Sequence, residues 1–356
     1  MASDGNAGVR TQLILSFVAL AAGAFALGRW SAHRDVSTHA ASSPPSIATK
    51  AARGVSVSHS MVPALTASDV AHDDNAQDDD PVASYEDLMY AQPDLVDASI
   101  KRLRPQTPGK IDLYALGFAG DGEQNVFRNE VDYLPKLLAQ RFGADARVVQ
   151  LIDSPQTFAT VPLATRTNLY EALAGIAGKM DLNEDILLLF LTSHGSEDHQ
   201  LAVVMGSMPL DQLTPEDVRD ALDAAHIRWR VIVVSACFSG GFIPALRDAH
   251  TMIITAARSD RTSFGCGNDS KITWFGKAFL TEALNQTTDF HDAYLRAGAT
   301  IAGWEKRGGE TPSEPQYWAG NEIQQKLDAW RATLPSAAAV PFVPASIATR
   351  EHSHAR

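Results

Sequence analysis

A mainly parallel β-sheet with helices on both faces is the α/β fold class predicted by this chain of 356 residues. Two observations predict it. Short, wholly apolar runs alternate with amphipathic stretches, the pattern of parallel strands covered on both sides by crossover helices. Two of those runs also end in a reactive side chain with glycine close behind, and open α/β sheets carry their sites beyond the carboxyl ends of the strands.

The first element is Leu13–Gly28, an uncharged apolar run of 16 residues. It is slightly short of the roughly 20 residues of a spanning helix. A cleaved export signal and an uncleaved anchor both fit residues 1–30, although Arg10 with the amino terminus makes a thin basic region for a signal. Arg29 and Arg34 after the run, against Arg10 before it, favour a cytoplasmic C-terminal part by the positive-inside rule. An apolar export segment followed by a Ser/Ala/Pro linker favours the opposite side. The expectation is therefore a single N-terminal pass in a bacterial inner membrane with the folded domain periplasmic, the cytoplasmic side remaining the alternative. Residues 31–84 are rich in Ala, Ser, Pro and Asp, with five aspartates between Asp73 and Asp80. Such a segment buries too little apolar surface to offset its ordering entropy and reads as a flexible tether. Residues 333–356 read as a loose tail, which leaves 85–332 as the folded unit.

Within that unit the expected strands are Ile111–Phe118, Arg147–Ile152, Ile186–Thr192, Val231–Ser235 and Met252–Ala256. Helices are expected at Asn129–Arg141, Asn168–Lys179, Pro215–Ala225 and Gly241–Ala249, then at Ile272–Leu284 and Phe290–Glu305. Val131, Leu134, Leu137 and Leu138 recur at helical spacing in the first. Thr214 followed by Pro215, Glu216 and Asp217 has the form of a helix start.

The formal charge of -12 argues against a nucleic-acid partner and against docking on an anionic lipid surface. The two cysteines, Cys237 and Cys266, cannot build a disulfide scaffold, and no CxxC pair is present. A Cys237–Cys266 bridge would silence a nucleophile at Cys237, and a domain of this size does not need the staple.

The chemistry concentrates at two strand ends. Ile186–Leu191 leads into Thr192, Ser193, His194 and Gly195; Val231–Val234 leads into Ser235, Ala236, Cys237 and, beyond Ser239, Gly240. Adjacent strands lie about 4.8 Å apart, so residues leaving neighbouring strands come within the reach a thiol and an imidazole need for proton exchange. The N–H groups of Gly195 and Cys237 are the natural oxyanion donors, and a helix opening at Ser239 would place its positive end near the thiol. A zinc site using His194, His199, Cys237 and Cys266 matches no usual ligand spacing, so no metal and no organic cofactor are expected. Asp198 and His199 read as solvated loop residues. Trp274, Phe275, Phe279 and Tyr294 read as core, and Gly117–Gly122 lacks the Lys-Ser/Thr of a phosphate loop.

The SHG and SACFSG boxes, 43 residues apart, resemble those of the legumain-type (haemoglobinase) cysteine peptidases, whose architecture is the caspase-haemoglobinase fold. The resemblance runs from about Ile111 to Phe279. It implies His194 as base and Cys237 as nucleophile, with a peptide or protein as substrate. It also implies a substrate pocket drawn from Arg128, Ser235 and Ser263. The chain departs from the plant and animal enzymes at Ser235, two residues before the cysteine, and near Lys277, where acids are expected. Arg128 without those acids would make a cationic pocket suited to an acidic residue. The function implied is a cysteine endopeptidase working through a Cys/His dyad and an acyl-enzyme thioester. A transamidase using the same dyad and a non-catalytic, membrane-tethered interaction module are the alternatives.

Overall fold

The structure, a computed structural model, describes residues 84–345 apart from Asn268. The apolar run at 13–28, the tether and the end of the tail lie outside the described residues. Among the described residues no helix is long and apolar enough to cross a membrane.

The elements in chain order begin with α1 (Tyr85–Lys101), β1 (Leu113–Ala119), α2 (Asn125–Phe142) and β2 (Val148–Ile152). They continue with α3 (Arg166–Ala177), β3 (Ile186–Thr192), α4 (Pro215–Ala224) and β4 (Trp229–Ser235). Next come α5 (Ile243–Leu246), β5 (Thr251–Thr255) and α6 (Trp274–Gly276), which runs on as a π-helix at Lys277–Ala283. The last are α7 (Phe290–Gly308), β6 (Gln316–Ala319) and α8 (Ile323–Arg331). The sheet order is β2-β1-β3-β4-β5-β6, all parallel except β6, which pairs antiparallel with β5. The predicted fold class is thus the observed one.

Strands β1, β3, β4 and β5 are buried along their whole length because each face of the sheet has its own core. Ile186, Leu188 and Phe190 of β3, with Val231 and Val233 of β4, pack under α2, the π-helix, α7 and α8. The intervening Leu187, Leu189 and Leu191, with Ile232 and Val234, pack under α1, α3, α4 and α5. Period-two alternation therefore persists, but it separates two apolar cores rather than core from solvent.

The helix start at Thr214 forms as predicted. The Thr214 hydroxyl accepts from the Asp217 N–H at 3.1 Å while Asp217 accepts from the Thr214 N–H at 3.0 Å, with Pro215 first in the helix. The helix expected at Gly241–Ala249 does not form as one element. A single 3₁₀ turn, Ser239–Phe242, is followed by the one-turn α5, because paired glycines are poor helix formers and Pro244 cannot donate to the ladder. That leaves too short a dipole to act on Cys237 as the longer helix would.

The loose-tail reading is also corrected for the part described. Residues 334–345 dock along α2. The Val340 carbonyl accepts from the Tyr133 hydroxyl at 2.7 Å and from Asn285 at 3.0 Å, and the Ala345 N–H donates to Asn129 at 3.1 Å. Val340 itself is 2% exposed, so this stretch completes the core below it.

Phe142, Phe290 and Trp330 stack mutually with centroids 5.7 to 6.1 Å apart, joining α2, α7 and α8. Trp330→Ala is expected to destabilise the domain by about 3–5 kcal/mol, the usual cost of deleting a buried aromatic. Urea unfolding monitored by far-UV circular dichroism measures this. A loss below about 1 kcal/mol would mean that α8 is not part of the cooperative core.

Candidate active site

The parallel register pairs Thr192 of β3 with Ser235 of β4. His194 and Cys237 each lie two residues further along, so both leave neighbouring strands at the same level and on the same side of the sheet. Both side chains are partly exposed. The loops that carry them touch: a Cβ at Gly195 would collide with the carbonyl oxygen of Cys237. Only glycine lets the histidine loop approach the cysteine backbone this closely.

The thiol is held by a third segment. The N–H of Ser263 donates to the Cys237 sulfur at 3.2 Å, and the Ser263 carbonyl and hydroxyl each lie 3.7 Å from it. The His194 ring is fixed from the other side by an edge contact with Phe127 of α2, centroids 5.1 Å apart at 80°. No hydrogen bond joins the imidazole to the thiol, an arrangement common in catalytic pairs before substrate closes the site. The N–H groups of Gly195 and Cys237 donate to no protein acceptor among the described residues. A cleft of about 300 Å³ runs beside His194, lined by Gly195, Ser196, Asp198, Gln200, Ala202 and Gln212.

The residues expected to form a specificity pocket are not brought together. Ser263 reaches the nucleophile itself. Ser235 is 2% exposed and its hydroxyl lies 3.3 Å from that of Thr273, so it faces the interior. The Arg128 guanidinium is held by Asp132 at 3.1 Å and by Gln156 at 3.3 Å. Gln156 follows β2, which β1 and β3 separate from β4, so Arg128 is engaged away from the strand that carries Ser235. Lys277 lies over the Trp304 ring, 4.9 Å from its centroid. His199 is not a solvated loop residue. Its backbone is left-handed (φ 65°), its ring covers Gly241, and its Nδ1 is buried without a partner. Among the described residues no group of acidic, histidine and cysteine side chains is arranged to hold a metal ion.

A cysteine and a histidine thus stand at adjacent carboxyl ends of a parallel sheet, with two N–H groups available beside them. Residues 154–326 match the Peptidase C13 family. The legumain-type resemblance read from the two boxes is borne out over this stretch, as is a cysteine peptidase in general terms. The match begins after β2, so the Arg128 segment lies outside it. Among solved structures, the chain is similar to "Crystal Structure of Caspase-1 from Spodoptera frugiperda", at 14% identity and a TM-score of 0.42, over 59% of this chain and 87% of that one. No curated protein matches it.

Sequence reasoning missed a buried acid beneath the pair. Glu130 of α2 has no exposed surface. Its carboxyl accepts from Thr192 Oγ1 at 2.7 Å and from the Thr273 N–H and Oγ1 at 3.0 and 2.6 Å. Glu130 falls within the helix expected at Asn129–Arg141, but nothing local distinguishes it from a solvated helix glutamate.

Burial pushes the Glu130 carboxyl above its ordinary value of 4.5, against the hydrogen bonds from Thr273 and Thr192 that pull it down. The folded state thus keeps this proton to higher pH than the unfolded chain does. Its contribution to stability is full below the ordinary value and is lost as pH rises through the folded one. Glu130→Gln cannot titrate, so wild-type stability is expected to fall relative to this variant as pH rises above the ordinary value of 4.5. Urea midpoints along that rise test it, and parallel curves for the two proteins would contradict it.

Proposed function

We propose that the protein is a cysteine endopeptidase acting through a Cys237/His194 dyad and an acyl-enzyme thioester. The observation that carries this reading is the in-register exit of His194 and Cys237 from β3 and β4. The Cys237 thiolate attacks the scissile carbonyl carbon, and the carbonyl oxygen takes up the negative charge between the Gly195 and Cys237 N–H groups. Collapse of this adduct breaks the C–N bond, and the leaving amine takes its proton from the His194 imidazolium. The thioester that remains is attacked by water, whose proton returns to His194; the adduct expels the sulfur, the acid leaves and the thiolate–imidazolium pair is restored. The cleft beside His194 supplies an extended site on one side of the bond. No resident metal or cofactor enters any step.

Arg128 is engaged by Asp132 and Gln156, so an acidic preference built on it has no support in the geometry. For placement in the cell, the Leu13–Gly28 run supports a single membrane pass with the domain on the periplasmic side. Reporter fusions active on one side only test that.

Labelling by a peptidyl chloromethyl ketone is expected at Cys237, absent in Cys237→Ala, and slowed about 10²–10⁴-fold in His194→Ala. Modification confined to Cys266 on peptide mapping would overturn the reading. Gly195→Ala forces the histidine loop off the Cys237 carbonyl and displaces an oxyanion donor. It is expected to lower kcat by about 10²–10³-fold. Full turnover in this variant would remove Gly195 from the site.

A further inference from the structure

The strand ends that carry His194 and Cys237 are joined below the surface by one side chain. Residues 186, 188 and 190 of β3, and 231 and 233 of β4, face α2 and the π-helix, so by parity the side chains of Thr192 and Ser235 face the same way. Thr192 donates to one oxygen of Glu130, and the other oxygen accepts both the backbone N–H and the hydroxyl of Thr273. Thr273 is in turn 3.3 Å from the Ser235 hydroxyl and caps α6 by accepting from the Gly276 N–H at 2.8 Å. Gly276 is the residue that leaves room for the carboxyl, since a Cβ there would collide with it.

The same anchor reaches the nucleophile by a second route. The Trp274 N–H, next to Thr273, donates to the Phe264 carbonyl at 2.9 Å, and the neighbouring Ser263 holds the Cys237 sulfur. Asn129, beside Glu130, donates to the Lys271 carbonyl at 2.9 Å and fastens the same loop to α2. One carboxyl therefore ties together the histidine strand, the cysteine strand and the loop that contacts the thiol.

We propose that Glu130 is a positioning residue that sets the relative placement of His194, Cys237 and Ser263. It touches no substrate, being fully buried, and it acts through Thr192 and Thr273. The inference rests on His194 and Cys237 being the reacting pair. What matters in it is the hydrogen-bonding shape of the side chain. A glutamine can reproduce that shape: its oxygen accepts from Thr273 and its amide donates to Thr192, whose hydroxyl turns to act as acceptor. A small side chain cannot, and it leaves the Thr192 and Thr273 hydroxyls buried without partners.

The test compares alkylation of Cys237 by iodoacetamide in the full chain, mapped by peptide mass, with thermal melting of the same samples. Glu130→Ala is expected to slow alkylation about 10–100-fold, the penalty of a reacting group displaced by around an ångström. Glu130→Gln is expected to return the rate close to wild type. Thr192→Val removes only the β3 arm and is expected to slow alkylation without unfolding the chain, which keeps the test decisive if Glu130→Ala does not fold. Wild-type rates in Thr192→Val or in a folded Glu130→Ala would overturn the proposal. So would a Glu130→Gln protein as slow as Glu130→Ala, because a role in positioning alone predicts rescue. Failure of the dyad itself looks different: His194→Ala would then alkylate at the wild-type rate whatever residue stands at 130.

Discussion

The parallel pairing of β3 with β4 governs everything else at the site, because it decides which residues stand level where the two strands leave the sheet. Thr192 faces Ser235, and two residues later His194 and Cys237 emerge together. Strands apolar on both faces specify register weakly, since a one-residue slip exposes no apolar surface to water; it only exchanges one core for the other. The polar ends of these strands make the slip costly. A shifted strand would turn Thr192 or Ser235 toward the apolar core of Leu191, Val234 and Phe242, and would leave the Glu130 carboxyl buried with fewer donors. Each such loss costs on the order of 1–3 kcal/mol, a sizeable share of the stability of an ordinary domain.

The two faces of the sheet therefore do different work. On one, α3, α4 and α5 cover the strands with aliphatic side chains and little else. On the other, the same kind of apolar core is interrupted, directly under the strand ends that carry His194 and Cys237, by Glu130, Thr192, Ser235 and Thr273. The segment from β5 to α7 passes over this face and delivers Ser263 to the thiol before Thr273 returns the chain to Glu130. The antiparallel edge strand β6 then closes the sheet beyond β5. Chemistry at the surface and polar contacts in the interior thus meet at one end of one face.

This division explains what was legible in the sequence. The five parallel strands were readable because a strand covered on both faces must be apolar throughout, and their reactive ends followed from where such strands stop. His194, Gly195 and Cys237 were readable for the same reason. β6 was not: Gln316–Ala319 is four partly exposed residues at a sheet edge, with neither an apolar run nor clear alternation to mark it. α1 carries Pro93 in its interior, which reads as a helix breaker, yet the helix persists because Leu88 and Val96 are buried on either side of it. The docked stretch at 334–345 is rich in Ala and Pro, and its order comes from Tyr133, Asn285 and Asn129, three partners no local pattern could supply. Glu130 was hidden in the same way, since its donors lie 62 and 143 residues away.

The same logic separates reaction from recognition. The reacting groups are fixed by strand ends and backbone N–H groups, features that a matching sheet and two short boxes reproduce even when most side chains differ. A specificity pocket is instead a meeting of side chains from separate helices and loops, and each can be claimed by another partner. Asp132 and Gln156 have claimed Arg128, the Trp304 ring has claimed Lys277, and Thr273 has drawn Ser235 inward. What remains at the mouth of the site is the loop of Ser196, Asp198 and Gln200 beside His194. The Ser196 hydroxyl holds the Asp198 carboxyl below the ordinary carboxylate range. The wall beside His194 therefore carries an acidic side chain rather than a cationic one, and it is built on the end of β3 that carries His194 itself.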